Sequence, residues 1–229
     1  MLVGILLAAG CGGKQPRKAT SREGNDFSRL SDVECIQLLG HRNPLVRRQA
    51  VGELASRGSR VVPKVVEELR RPENSSAKSA AAEVLVLLGP AGKEAVPALT
   101  RAAADINWPD RYLAVRALGE IPASSEDAVR VLIQRLETDP EERVRAAAAR
   151  SLGKIAAASE LTRSMVLPAL LAALKKPDPL VQAELAEALG LCGHGSPEVI
   201  KALKELANSG DFILRQAAQE ALQNLEKRP

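Results

Sequence analysis

A leucine recurs along this chain at intervals of 31 to 37 residues, and the residues around it recur with it. Seven residues before the leucine lies a basic side chain in five of six cases, and four residues before it lies alanine in five of six. A period in the thirties with two helical segments per period is typical of a helical solenoid, because one hairpin cannot bury its apolar face alone. We therefore predict an all-α solenoid of about six helical hairpins over residues 30–229, with these marker leucines: Leu54, Leu85, Leu118, Leu152, Leu189 and Leu222.

Each predicted unit contains a first helix, a tight turn and a second helix. Composition favours a core of small aliphatic residues, since the chain is 45% hydrophobic but only 2% aromatic. Asn or Asp followed by Pro indicates the start of several second helices. Pro63, Pro97 and Pro168 each predict a first turn or a bend of a first helix. The units are expected at 31–58, 60–89, 91–122, 124–158, 160–193 and 196–228.

Two segments, Ala95-Val-Pro-Ala-Leu99 and 139–153, resemble the HEAT repeat family, in particular its short variant first noted in phycobilisome lyase subunits. The resemblance covers about residues 30–228. It implies a ladder between neighbouring repeats, made by an acid at each turn (Glu141, for example) and a basic residue early in each second helix. Gln182 interrupts the basic column, and anion binding by the same side chains is the alternative. The implied ladder residues are Arg47, Lys78, Arg111, Arg145, Asp178, Asp211 and Arg215.

The first eleven residues predict export. Residues 1–10 are uncharged and largely apolar and end in small residues, which is a secretory signal pattern. Because Cys11 follows at once, Ala8-Ala9-Gly10-Cys11 resembles the bacterial lipoprotein signal, although that family usually has leucine at the position of Ala8 and a basic residue ahead of the apolar core. The resemblance implies cleavage before Cys11 and a lipid on its sulfur. Residues 11–29 are mostly polar and are interpreted as a flexible tether.

A candidate partner site lies midway along the array. Second helices line the concave face in this architecture, and projection at about 100° per residue turns Tyr112, Arg116 and Arg150 outward. Trp108 lies one turn before Tyr112. Tyr, Trp and Arg most often dominate interface energetics. These four residues are the expected partner-binding site, with packing of Trp108 against its turn as the alternative for that residue.

Three functional classes follow. We favour a non-catalytic scaffold anchored by lipid in the cell membrane or outer membrane, facing the periplasm or exterior, and binding a protein or peptide on the concave face. A bilin lyase-like accessory protein is the first alternative, and a nucleic-acid reader the second. Acids in the predicted face disfavour nucleic acid, namely Glu83, Glu187 and Glu220.

Little in the sequence indicates catalysis or metal binding. His41 and His194 are the only histidines, and Cys192 with His194 supplies too few ligands for zinc. We expect no cofactor, no metal and a chain that is monomeric by itself. A cytoplasmic location is the alternative to the envelope.

Overall fold

The computed structural model describes residues 26–71, 75–121, 125–192 and 196–227. Within these ranges there are twelve α-helices and no strand, which confirms the predicted all-α solenoid. No helix in the described ranges is long and apolar enough to cross a bilayer. Cys11 and the predicted signal segment lie outside them. The helices are α1 Asp32–Gln37, α2 Pro44–Ser56, α3 Val62–Arg70, α4 Ser75–Leu88, α5 Val96–Ala102, α6 Trp108–Gly119, α7 Glu126–Thr138, α8 Glu142–Ala158, α9 Glu160–Ala173, α10 Pro179–Cys192, α11 Pro197–Ala207 and α12 Phe212–Glu226.

The helices form two layers. In one layer, each second helix of a hairpin packs on the second helix of the next hairpin, in the order α2, α4, α6, α8, α10 and α12. In the other layer, successive first helices are in contact, in the order α1, α3, α5, α7 and α9. Five of the six marker leucines have no exposed surface, and Leu222, in the last helix, is only partly buried. The core therefore runs the length of the array between the layers.

Local signals place the hairpin turns where the sequence predicts them. The Asn43 side chain accepts a hydrogen bond from the Leu45 amide at 2.9 Å and caps α2. Gly58 and Gly89 follow helix ends with φ of 72° and 51°, a conformation that glycine adopts without strain. Pro63 lies in the first turn of α3, whereas Pro168 lies inside α9, because the segment ahead of it is also helical.

The folded array begins earlier than the composition indicates. Residues 27–29, which the sequence assigns to the tether, form a 3-10 turn with Phe27 only 7% exposed. The buried guanidinium of Arg57 donates to the carbonyls of Phe27 and Leu30 at 3.1 and 2.7 Å and pairs with Asp32 at 2.8 Å. Arg57 therefore ties this segment to the first hairpin.

Glycines in three second helices allow the next helix to approach closely. Gly119, Gly153 and Gly190 each follow a marker leucine. A Cβ on Gly153 would lie 2.7 Å from the Ala188 Cα, and one on Gly190 would lie 2.7 Å from the Ala221 Cα. Because the obstructing atoms belong to backbone, they cannot move aside as a flexible side chain would.

We predict that Gly153→Ala destabilises the protein by about 1–3 kcal/mol, the usual cost of overpacking. Gly52 in α2 is the matched control, since a Cβ there meets nothing within 4 Å. Gly52→Ala should stabilise the protein by about 0.5–1 kcal/mol, because alanine is the better helix former. Denaturant unfolding of both variants measures the difference, and a shift of the same sign in both would contradict close helix contact at Gly153.

The turns share one hydrogen-bond arrangement. In four repeats, the side chain thirteen residues before the marker leucine accepts a hydrogen bond of 3.1 Å from the backbone amide two residues later. These side chains belong to His41, Asp105, Asp139 and Ser209. The carbonyl of the same residue accepts from the arginine six positions on, at 2.7 to 3.1 Å. Four arginines of the column, Arg47, Arg111, Arg145 and Arg215, therefore hold the turns of their own hairpins.

Three members of the same column also bind the following repeat. Lys78 pairs with Asp105 at 2.8 Å, Arg111 pairs with Asp139 at 2.7 Å, and Arg145 pairs with Asp178. For Arg111 and Lys78, the acid is the turn residue just described. For Arg111 the accepting acid is thus Asp139, two positions before Glu141, the acid that the resemblance implies, and Asp105 has the equivalent place in its own repeat.

No such pair joins the fifth and sixth repeats within the described chain. The Gln182 amide donates to the Leu174 carbonyl of its own repeat at 3.0 Å. Asp211, predicted as a ladder acid, instead accepts from the Ile213 and Leu214 amides and caps α12. A cleft of about 640 Å³ lies beside this break, between α9 and α11. By the repeat spacing, the position equivalent to Asp105 in the second repeat is Pro72, which lies outside the described ranges.

The Arg111–Asp139 pair is the most buried of the ladder, with side chains 7% and 0% exposed. Burial raises the pKa of Asp139, but hydrogen bonds from Arg111 and the Glu141 amide outweigh it, and the pKa lies below its usual value. The carboxylate therefore contributes stability above the pKa of the unfolded chain. That contribution is lost as the pH falls through the lower pKa of the folded state.

We predict that Arg111→Met costs about 3 kcal/mol at pH 7, because it leaves the buried Asp139 carboxylate with only the more distant Arg135, at 3.5 Å, as its counterion. The deficit should shrink as the pH falls, since protonation of Asp139 removes the poorly compensated charge. Urea unfolding at several pH values measures this. Arg145→Met is the control, since its pair is 23% and 18% exposed. Equal losses in the two variants, independent of pH, would contradict the role of burial.

Candidate functional site

A groove lies at the middle of the second-helix layer, formed by α6, α8 and α10. This central groove has a volume of about 470 Å³, and Ala146 and Ala147 line part of it. It includes Tyr112, Arg116 and Arg150, three of the four residues that the sequence predicts to bind a partner. Its charged side chains are Arg116, Glu120, Arg143, Arg150, Lys154 and Glu184.

Two arginines of this region lie over aromatic rings. The guanidinium carbon of Arg116 is 5.5 Å from the centre of the Tyr112 ring one turn earlier. Arg143 of the next repeat is 5.7 Å from the centre of the Trp108 ring. Trp108 is 38% exposed and borders the groove through Arg143. The face of each ring attracts the cation, so each ring helps to hold its arginine in place.

Arg150, which the sequence predicts to bind a partner, forms an ion pair within the array. Its guanidinium donates two hydrogen bonds of 2.7 Å to Glu184 and lies 3.8 Å from Glu187. Burial raises the pKa of Glu184, while Arg150 opposes that shift. Glu184 is 17% exposed on its side chain, so it depends on Arg150 for its charge. Arg150 therefore joins the fourth and fifth repeats.

Another groove cation is paired in the same way. Lys154 reaches Glu120 of the preceding repeat at 2.5 Å. Arg143 lies only at the limit of an ion pair, 4.0 Å from Glu141. Among the residues that the structure describes, Arg116 has no carboxylate within 4.0 Å. The groove thus retains one unpaired arginine and one weakly paired arginine, each beside an aromatic ring.

Helical projection of the sequence does not indicate four of the groove residues, namely Glu120, Arg143, Lys154 and Glu184. Two pairs, Glu120–Lys154 and Arg150–Glu184, are separated by 34 residues, which is one repeat. Residues one repeat apart occupy equivalent places on neighbouring second helices. A search for opposite charges at that separation would have found both pairs.

The remaining reactive side chains have structural surroundings. The His41 ring accepts a hydrogen bond from the Asn43 amide at 3.1 Å, within a turn. Cys35 and Cys192 are buried, and burial raises the pKa of the Cys192 thiol to about 11. Over the described ranges, no three His, Cys, Asp or Glu side chains come together as a metal site. His194 lies outside those ranges.

Comparison with known proteins agrees with this architecture. The HEAT repeats family matches residues 62–153 and 129–223, which together span more than half of the chain. No curated protein sequence matches it.

Solved structures share the fold at low sequence identity. The E. coli protein YibA is 22% identical over 91% of this chain and 77% of its own, with a TM-score of 0.66. A designed armadillo repeat protein in complex with the peptide (KR)4 is 18% identical, over 84% of this chain and 98% of its own, with a TM-score of 0.58. A chain from the CpcE–CpcF complex of phycocyanin lyase from Nostoc is 24% identical, over 71% of this chain and 98% of its own, with a TM-score of 0.57. At these identities the likeness concerns the fold alone.

Proposed function

This chain belongs to the HEAT repeat family, and we propose that it is a scaffold that binds a protein or peptide partner in the central groove. The observation that carries the proposal is the pairing of Arg116 with Tyr112 and of Arg143 with Trp108. These residue types dominate interface energetics. Both arginines retain donors that no carboxylate of the described residues fully occupies, so they are available to a partner.

The position of the groove also supports binding. It lies on the third, fourth and fifth second helices, so a partner that follows the array would cross it. A designed armadillo repeat protein of the same fold forms a complex with a peptide, so this architecture is able to hold one. The whole second-helix layer is held by repeat-to-repeat contacts, which makes the groove a preorganised surface.

We further propose that a lipid on Cys11 anchors the scaffold in the cell envelope, facing the periplasm or exterior. The support is the sequence Ala8-Ala9-Gly10-Cys11 after an apolar segment. Four basic residues in the following segment, Lys14, Arg17, Lys18 and Arg22, would favour a membrane with anionic headgroups.

The binding site is tested by removing its two available cations. We expect Arg116→Ala with Arg143→Ala to weaken partner binding, since each central anchor contributes about 2 kcal/mol or more, or about thirtyfold in affinity. The matched control is Arg42→Ala with Arg48→Ala, two exposed arginines of the first repeat. Quantitative affinity purification from the native source compares the partners retained by each variant.

Thermal unfolding accompanies this experiment, because a partner lost through unfolding says nothing about the groove. Tyr112 is left unchanged since it packs partly against the core. If both double variants are folded and retain the same partners in the same amounts, the groove is not the binding site.

The anchor is tested separately. Cys11→Ser removes the sulfur that would carry the lipid, so we expect the variant to leave the membrane fraction for the soluble or precursor fraction. Fractionation with labelling by a radioactive fatty acid measures both changes. Cys35→Ser is the control, since that thiol is buried in the array. Identical partitioning and labelling of wild type and Cys11→Ser would refute the anchor.

A further inference from the structure

We infer that the central groove recognises an acidic peptide segment, through carboxylates that bind Arg116 and Arg143. The inference rests on the proposed function and adds the chemistry of the partner. Four cations and two carboxylates line the groove. Both carboxylates are already engaged, Glu184 by Arg150 and Glu120 by Lys154. What the groove offers to a partner is therefore positive charge.

The two available arginines are arranged for carboxylate binding. The guanidinium carbons of Arg116 and Arg143 lie over the Tyr112 and Trp108 rings, 5.5 and 5.7 Å from the ring centres, and this contact does not use the N–H donors as a bidentate carboxylate pair would. A planar guanidinium binds a carboxylate with two parallel hydrogen bonds, and a ring that holds it reduces the entropy lost on binding. Arg143 is 64% exposed, so a partner reaches it without displacing the core.

The spacing of the two arginines suits an extended chain. They lie on α6 and α8, neighbouring helices whose axes pack about 8–10 Å apart. An extended peptide rises about 3.3 Å per residue. Arg143 lies one repeat of 34 residues after Pro109, so it is offset from Arg116 by about seven residues, or about 10 Å, along the helices. Two acidic side chains about four residues apart would therefore meet the two arginines if the peptide crosses the second helices obliquely.

Other ligand classes fit the groove less well. A basic peptide needs free carboxylates, and those of the groove are held by Arg150 and Lys154. Nucleic acid is bound by many unpaired cations along its phosphates. Among the described residues that line this groove, only Arg116 is unpaired and Arg143 is weakly paired with Glu141 at 4.0 Å, while the half-exposed Glu187 lies beside Arg150.

The test measures the binding of defined peptides to the full-length chain. Fluorescein-labelled (Asp-Glu)4, (Lys-Arg)4 and a single-stranded oligonucleotide are titrated by anisotropy at low salt. Trp108 is the only tryptophan, so its emission reports whether binding occurs beside the groove. We expect saturable binding of (Asp-Glu)4 that weakens with salt, a change in Trp108 emission, and at least tenfold weaker binding by Arg116→Gln.

Arg48→Gln is the matched control, since it removes the same charge from an exposed position of α2. Its affinity for (Asp-Glu)4 should stay within twofold of wild type. The inference is overturned if (Lys-Arg)4 or the oligonucleotide binds more tightly, if (Asp-Glu)4 does not bind, or if the two variants lose affinity equally. None of these results decides whether the protein is a scaffold. The affinity purification tests that function separately, because it measures the binding of native partners.

Discussion

Close contact between successive second helices is the constraint on which the rest of the structure depends. Where Gly153 faces Ala188 and Gly190 faces Ala221, the helix backbones approach to a distance that admits no further carbon atom. This approach buries the marker leucines and brings side chains one repeat apart within ion-pair distance. Ser151 uses the same proximity, since its hydroxyl donates to the Val115 carbonyl of the preceding repeat at 3.0 Å. Packing and polar contacts therefore share one geometry.

The arginine column adds a second set of contacts between repeats, and its strength varies along the array. Arg111 is nearly buried with Asp139, whereas the Arg145 pair is partly exposed, and Gln182 forms no pair with the sixth repeat. Because desolvation increases the dependence of each charge on its partner, the middle of the array is the part most sensitive to loss of a single side chain. The central groove lies beside this strongly connected region, so its side chains are presented by a rigid support.

Most charges on the second-helix face belong to the array itself. Arg150 and Lys154 are used to join repeats, which removes them and their acids from the surface available to a ligand. Arg116 remains because its nearest stabilising neighbour is an aromatic ring rather than a carboxylate. To identify a binding site on a solenoid, the cations that are already paired within the array must therefore be set aside. The net charge of the face does not distinguish these paired cations from those available to a ligand.

The sequence by itself determined the period, the all-helical class, the starts of several second helices and the arginine column, because these depend on spacing within one repeat. It also placed Tyr112, Arg116 and Arg150 on one face, since helical periodicity decides which way a side chain points. Only the tertiary structure decided that Arg150 is paired while Arg116 is not, and that Asp139 rather than Glu141 meets Arg111. Those outcomes depend on how neighbouring hairpins align, which varies as repeat length changes from 31 to 37 residues. A shift of two positions in a turn exchanges one ladder acid for another, and no single repeat contains that information.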